Sequence, residues 1–282
     1  MRRLARLALI AIVPVLAGLT LMSGCGGGEK EEEVVIQSPR KGKTKSGGGD
    51  AKELEAPTNG ILKGRVVLDG FAPANAQIAS MAAHNDAKVC LAGTEAEKGE
   101  QTWFVGANKG VANVVIQLAA PAGFKFKKIA PANVEVEIDQ PHCAFVPHVV
   151  VIASGQKLKI RNSSSVSHNS KTVSSKGVNP ETNVTIPPGD SGKPLEFADK
   201  RDEINLSCQV HIWMSAKIFV ADHPYIAVTD KDGNFEVRNV PTGVELKIIG
   251  AHEGGDVEGG KEGVTMKFVA GDNTREFKIK PR

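Results

Sequence analysis

From residue 60 onward, hydrophobic and polar positions alternate in short runs that Gly and Pro repeatedly interrupt. Residues 61–68 form one such run, stopped by Asp69-Gly70. Residues 113–118 are apolar on both faces, the pattern of a buried strand, whereas 134–138 read Val-Glu-Val-Glu-Ile, the period of a half-exposed one. Further runs fall at 149–153, 157–161, 203–207 and 217–220, then at 226–229, 234–237, 245–249, 265–269 and 276–279. Short strands at this spacing, with Gly and Pro between them, predict an all-β chain built of sandwiches or barrels. Only residues 73–85 carry a pattern suited to a short helix, and no internal repeat is present. The segment Asp230-Lys231-Asp232-Gly233 predicts a tight hairpin turn with Gly233 at positive φ. Its two aspartates do not make a calcium loop, because the later ligands such a loop needs are missing.

The first 59 residues follow different rules. Arg2, Arg3 and Arg6 precede an apolar stretch from Leu7 to Met22, which ends in Ser23-Gly24-Cys25. A basic start, a short apolar middle and small residues at the end describe a targeting segment over 1–25. Residues 26–59 hold two Gly triplets, an acidic run and a basic patch, a composition too polar to offset its own ordering entropy. They read as a disordered tether with an end-to-end distance of roughly 30–35 Å. The formal charge is +3, and all of it comes from the three leader arginines: 35 basic residues less these three leaves 32 against 32 acidic. A neutral body gives no footing for nucleic acid. Hydrophobic residues at 41% supply enough material for a core.

Chemistry concentrates in Cys208-Gln209-Val210-His211-Ile212-Trp213-Met214, which offers a thiolate, an imidazole and a thioether within seven residues. A second imidazole stands forty residues upstream, at His168, after the polar turn Asn162-Ser163-Ser164-Ser165-Val166-Ser167. Two imidazoles, one thiolate and a weak thioether form a donor set tolerable to both Cu(I) and Cu(II). Zinc accepts Cys and His but gains little from Met214. A G-x-S-x-G, an H-E-x-x-H and a phosphate-binding Gly loop are all absent from the sequence, so no catalytic constellation competes with a metal centre.

The arrangement Asn162…His168-Asn169…Cys208-x-x-His211-x-x-Met214 resembles the type 1 copper site of the cupredoxin family, in particular its amicyanin- and plastocyanin-like members. The resemblance spans residues 131–221 and implies a cupredoxin-like Greek-key sandwich holding one copper ion. His168, His211 and Cys208 then become equatorial ligands, Met214 the long axial one, and Asn169 a residue that pins the ligand loops. Ile212 departs from the Pro often found after the loop histidine. Residues 228–249 resemble the transthyretin-like sandwich of carboxypeptidase regulatory domains. The expected organisation is therefore a β module at 60–130, a copper domain at 131–221 and a transthyretin-like module at 222–282. Residues 1–25 resemble a bacterial lipoprotein signal, which implies lipid on Cys25 and a protein anchored outside the cytoplasm, in the periplasm or at the cell surface; an uncleaved membrane anchor is the alternative.

Two cysteines remain. In an oxidising compartment Cys90 and Cys143 pair most simply as a disulfide, while the competing reading gives Cys143 to a metal site with His142 or His148. The functional expectation is an electron carrier rather than an enzyme, exchanging electrons with redox partner proteins. A metal-free adhesion scaffold and a copper storage or delivery protein are the alternatives.

Overall fold

Strand alternation decides which face meets a core. In Asp202–Ser207 the side chains of Asp202, Ile204 and Leu206 are buried and the three between them are not. In Lys157–Ile160 Leu158 and Ile160 are buried in the same way. A period of two places every second residue on one side of the sheet, and repeated strands of this kind build layered β structure. A computed structural model describes residues 51–282 apart from 75, 129–134, 154 and 199. It is all-β, with two hydrophobic cores.

The core that carries the site lies in the middle of the chain. One of its sheets has five strands in the order Val149–Ala153, Ser215–Ala221, Asp202–Ser207, His168–Ser174 and Thr182–Ile186. The pairing of Ser215–Ala221 with Val149–Ala153 is parallel, and the others are antiparallel. A three-stranded sheet adds Pro194–Glu196, Lys157–Ile160 and Glu135–Ile138. Ile138, Phe145, Ile152, Leu158, Ile204 and Ile218 are among the residues that fill this core. The strand at 168–174 escapes the sequence pattern because its buried positions are polar, namely His168, Asn169, Ser170, Thr172 and Ser174, and the strand at 182–186 because only Ile186 of its five residues is buried.

The second core corrects the expected division into modules. Gly60–Leu68 lies between Asn234–Val240 and Gly271–Pro281 in one four-stranded sheet. Val115–Ala119 lies between Ile226–Val228 and Glu245–Ala251 in another. Residues 60–130 and 222–282 therefore share both sheets and one core, with Leu62, Val114, Ile116, Phe235, Ile248 and Phe277 among its members. Neither segment is a module by itself, since 60–130 supplies an inner strand to each sheet and 222–282 supplies the strands on either side of it. The strands from 135 to 221 fall in sequence between the two segments that build this second core, a relation that linear reading of strands does not reveal.

Two smaller expectations also change. The end of the supposed tether is fastened down: Lys52–Glu53 pairs with Phe124–Lys125, and the Thr242 amide donates to the Pro57 carbonyl at 2.8 Å. Residues 1–50, with the leader and Cys25, lie outside the described residues. The helix expected at 73–85 begins later, as a 3-10 turn at Ala79–Ala83 followed by short helices at Ala87–Cys90 and Glu95–Lys98. Thr94 and Glu97 form a reciprocal capping box at the start of the last of these, which explains why a segment this short holds its shape. The turn at 230–233 forms as expected. Asp230 accepts the amides of Asp232 and Asn234, and Gly233 has φ 81°. A Cβ at Gly233 would lie 2.5 Å from the Val66 carbonyl oxygen, so close approach as well as φ calls for glycine.

Burial of two histidines outside the candidate site sets a pH limit on this fold. Burial, with Arg201 adding to it, pushes His223 down to about 4, and burial does the same to His252. A folded-state value below the unfolded one means that the unfolded chain binds more protons between pH 6.5 and 4. Stability is thus complete above about 6.5 and declines as pH falls through that window. The expected loss is roughly 3 kcal/mol per histidine by pH 4. Urea midpoints measured from pH 7.5 to pH 4 should fall accordingly, and a flat profile would contradict the burial of these rings.

Candidate metal centre

The site is assembled by one strand start and one tight loop. His168 opens the strand His168–Ser174, and the loop before it is organised around Asn162, which is completely buried. The Asn162 amide donates to the carbonyls of Val166, Ile186 and Pro187, and its oxygen accepts from the Ser164 amide and hydroxyl. One asparagine therefore fixes the approach of the chain to His168.

The loop at 208–214 closes on itself. The Cys208 amide donates to the Met214 carbonyl at 3.2 Å, and the Met214 amide to the His211 carbonyl at 2.9 Å. The Cys208 sulfur accepts the amides of Asn169 at 3.3 Å and His211 at 3.4 Å. Asn169 also joins the two loops, because its side-chain oxygen accepts the Gln209 amide at 3.1 Å. Its side-chain amide reaches Asn183 and the Val184 carbonyl on the next strand.

These elements bring His168, Cys208 and His211 together, with their ligand atoms within 4.8 Å of one another. Cys208 is a buried free thiol. Met214 is buried in the same core cluster as Cys208, at the end of the loop. The two histidines face each other through Nδ1, 3.1 Å apart. Their outer nitrogens are both engaged. The Ser164 hydroxyl lies 2.6 Å from the Asn162 side-chain oxygen and 2.9 Å from the Val166 carbonyl, either of which takes its single proton, so its oxygen can accept from His168 Nε2–H at 3.1 Å. Asp86 can only accept, and its carboxylate lies 3.1 Å from His211 Nε2. His211 therefore carries its proton on Nε2 and turns its Nδ1 lone pair toward His168 and Cys208, and, with its own proton on Nε2, His168 offers a second Nδ1 lone pair to the same space.

Burial also decides the charge of the two rings. Burial first, and the adjacent His211 second, push His168 down to about 4. Burial likewise lowers His211, against the opposing pull of the hydrogen bond to Asp86. Both rings are neutral at ordinary pH and available as donors. With both protons on Nε2, two lone pairs and a sulfur converge on one buried space, a donor arrangement suited to a cation. Two imidazoles, a thiolate and a thioether suit copper better than any other common ion.

Two participants, Asp86 and His84, escaped the sequence reading, whereas the expected disulfide is present. Asp86 and His84 come from the 3-10 turn and helix of the other part of the chain, and the His84 ring packs 4.6 Å from that of His211. Trp213 packs against both histidines, 5.4 Å from each, and donates its indole N–H to the Cys143 carbonyl. Cys90 and Cys143 are joined by a disulfide. That bond removes Cys143 as a ligand and overturns the competing reading with His142 or His148. His142 pairs with Glu97 and His148 with Glu253 instead. Ser164 was visible in sequence as part of a polar turn, but its role depends on the shape that Asn162 imposes.

No family model matches the chain, and no curated protein matches it either. Solved structures that match part of it include a novel purple cupredoxin from Nitrosopumilus maritimus, at 20% identity over 30% of this chain and 98% of the other, with a TM-score of 0.26. Amicyanin from Paracoccus versutus matches at 16% identity over 37% of this chain and 98% of the other, with a TM-score of 0.27. A copper-containing nitrite reductase from Thermus scotoductus matches at 18% identity over 34% of this chain but only 25% of the reductase, with a TM-score of 0.26. Likenesses of this size carry no chemistry over to the chain.

Proposed function

We propose that this protein binds one copper ion through His168, Cys208, His211 and Met214 as a type 1 centre and carries electrons outside the cytoplasm, anchored through lipid on Cys25. The observation that carries the reading is the convergence of two Nδ1 atoms, each with its Nε2 engaged elsewhere, on a buried free thiol. When bound, copper supplies a one-electron couple between Cu(I) and Cu(II).

The chain's own residues do the rest. Ser164 and Asp86 hold the two imidazoles in the tautomer that leaves Nδ1 free. Two backbone amides aim at the Cys208 sulfur and fix its direction. Asn169 ties the loop of Cys208 to the strand of His168, so the donors move together or not at all. A donor set held this firmly changes little when an electron arrives or leaves. His168 and His211 are fully buried, which keeps water from the donors. Four protein donors leave no position for a substrate, which favours a carrier over an enzyme. The disulfide supports placement in an oxidising compartment, and the leader pattern supports the anchor.

Voltammetry of the copper-loaded protein tests the carrier reading. A reversible one-electron wave that persists over repeated cycles is the expected result, with copper retained at one per chain. Loss of copper on reduction would favour a delivery protein, and no wave at all would leave a β-sandwich scaffold.

A further inference from the structure

Asp86 occupies the N-cap of the helix Ala87–Cys90, a place where aspartate usually turns its carboxylate onto its own helix. Here it makes no such bond. The carboxylate instead reaches His211 Nε2 at 3.1 Å, a residue 125 positions away in sequence. Everything around it supports that direction. The helix ends at Cys90, and its disulfide fastens the segment to Cys143. Trp213, two residues after His211, donates to the Cys143 carbonyl at 3.1 Å. The His84 ring lies between the segment and the centre, packed against His211 and edge-on to Trp213. His84 Nδ1 accepts the Asp86 amide at 3.1 Å, which fixes the backbone from which the carboxylate projects.

We propose that Asp86 is the positioning residue of His211, delivered to the centre by a segment foreign to the copper-type sandwich and locked there by the Cys90–Cys143 disulfide. The inference rests on the proposed copper centre for its consequences, though not for its geometry. A carboxylate that accepts from Nε2–H fixes the ring's tautomer and orientation, and it makes Nδ1 a stronger donor. It also places a negative charge beside the metal position, which favours Cu(II) over Cu(I). The segment thus gives up a helix cap to serve a ligand. It also covers the His211 edge, leaving this side chain with no exposure while Asp86 itself remains about a third exposed.

Two substitutions separate tautomer from charge. D86A removes both, whereas D86N keeps a carbonyl acceptor and loses the charge. Nitrogen-15 spectra of the imidazoles in the metal-free protein report the tautomer directly. Wild type and D86N should show His211 protonated at Nε2, and D86A a mixture of the two tautomers. Copper affinity should fall about 10- to 100-fold in D86A and less in D86N. Both variants should raise the reduction potential, and D86E should restore it toward wild type. Circular dichroism and urea midpoints will report whether each variant is folded. Unchanged tautomer, affinity and potential in D86A would overturn the inference. A shifted tautomer in a protein that shows no thiolate–copper band would uphold the contact and overturn the copper reading alone.

Discussion

Replacing Cys208 with Ser is expected to remove the intense visible band of the copper-loaded protein and to weaken copper binding by at least a hundredfold. The band requires a sulfur bonded to Cu(II), and serine offers only a hard oxygen that suits Cu(I) poorly. The magnitude follows from comparison with outer residues. Changing a group that merely orients a ligand costs about 10- to 100-fold in affinity, so deleting a ligand costs more. The fold should survive, because serine is smaller and the site is reached by amides it can also accept. The Asn169 and His211 amides that now point at the sulfur can donate to a hydroxyl oxygen. Equal far-UV spectra and urea midpoints for the two metal-free proteins would establish that the loss is one of ligation. Copper bound as tightly by the serine variant would place the metal elsewhere.

Removing the disulfide should produce the largest change in stability. Cys90 and Cys143 are 53 residues apart and both about 1% exposed, so the bond closes a long loop deep inside a core. Chain-entropy reasoning puts the stabilisation from a loop of that length at about 4 kcal/mol. A Cys90→Ala, Cys143→Ala double variant also frees the segment that brings Asp86 and His84 to His211. Urea unfolding should therefore report a loss of about 4 kcal/mol, and copper affinity should fall alongside it. A loss below about 1 kcal/mol would mean that the capping box at Thr94 and the packing of Met81 already hold the segment in place.

What could be read from the sequence divides along a physical line. Strands whose inward residues are apolar, such as 61–68, 149–153 and 203–207, announce themselves through their period. His168–Ser174 does not, because polar side chains point inward to build the site. The proposed donors His168, Cys208, His211 and Met214 could be picked out of the sequence because three of them share one short loop. Asp86 could not, since nothing local relates it to His211; the relation exists only in the folded chain, where the segment that ends at Cys90 lies against the His211 loop. The joining of 60–130 with 222–282 escaped for the same reason. A strand's period specifies which face is buried but not which distant strand lies beside it, and Gly60–Leu68 finds its parallel partner more than two hundred residues later.

The most direct test of the central claim is titration of the metal-free protein with Cu(II), followed by visible absorption and electron paramagnetic resonance. The account predicts an intense thiolate-to-copper band that rises with the first equivalent and stops there, with a narrow hyperfine splitting and full reversibility on reduction. Binding without that band, or a spectrum of ordinary square-planar nitrogen and oxygen ligation, would contradict a centre built on Cys208, His168 and His211.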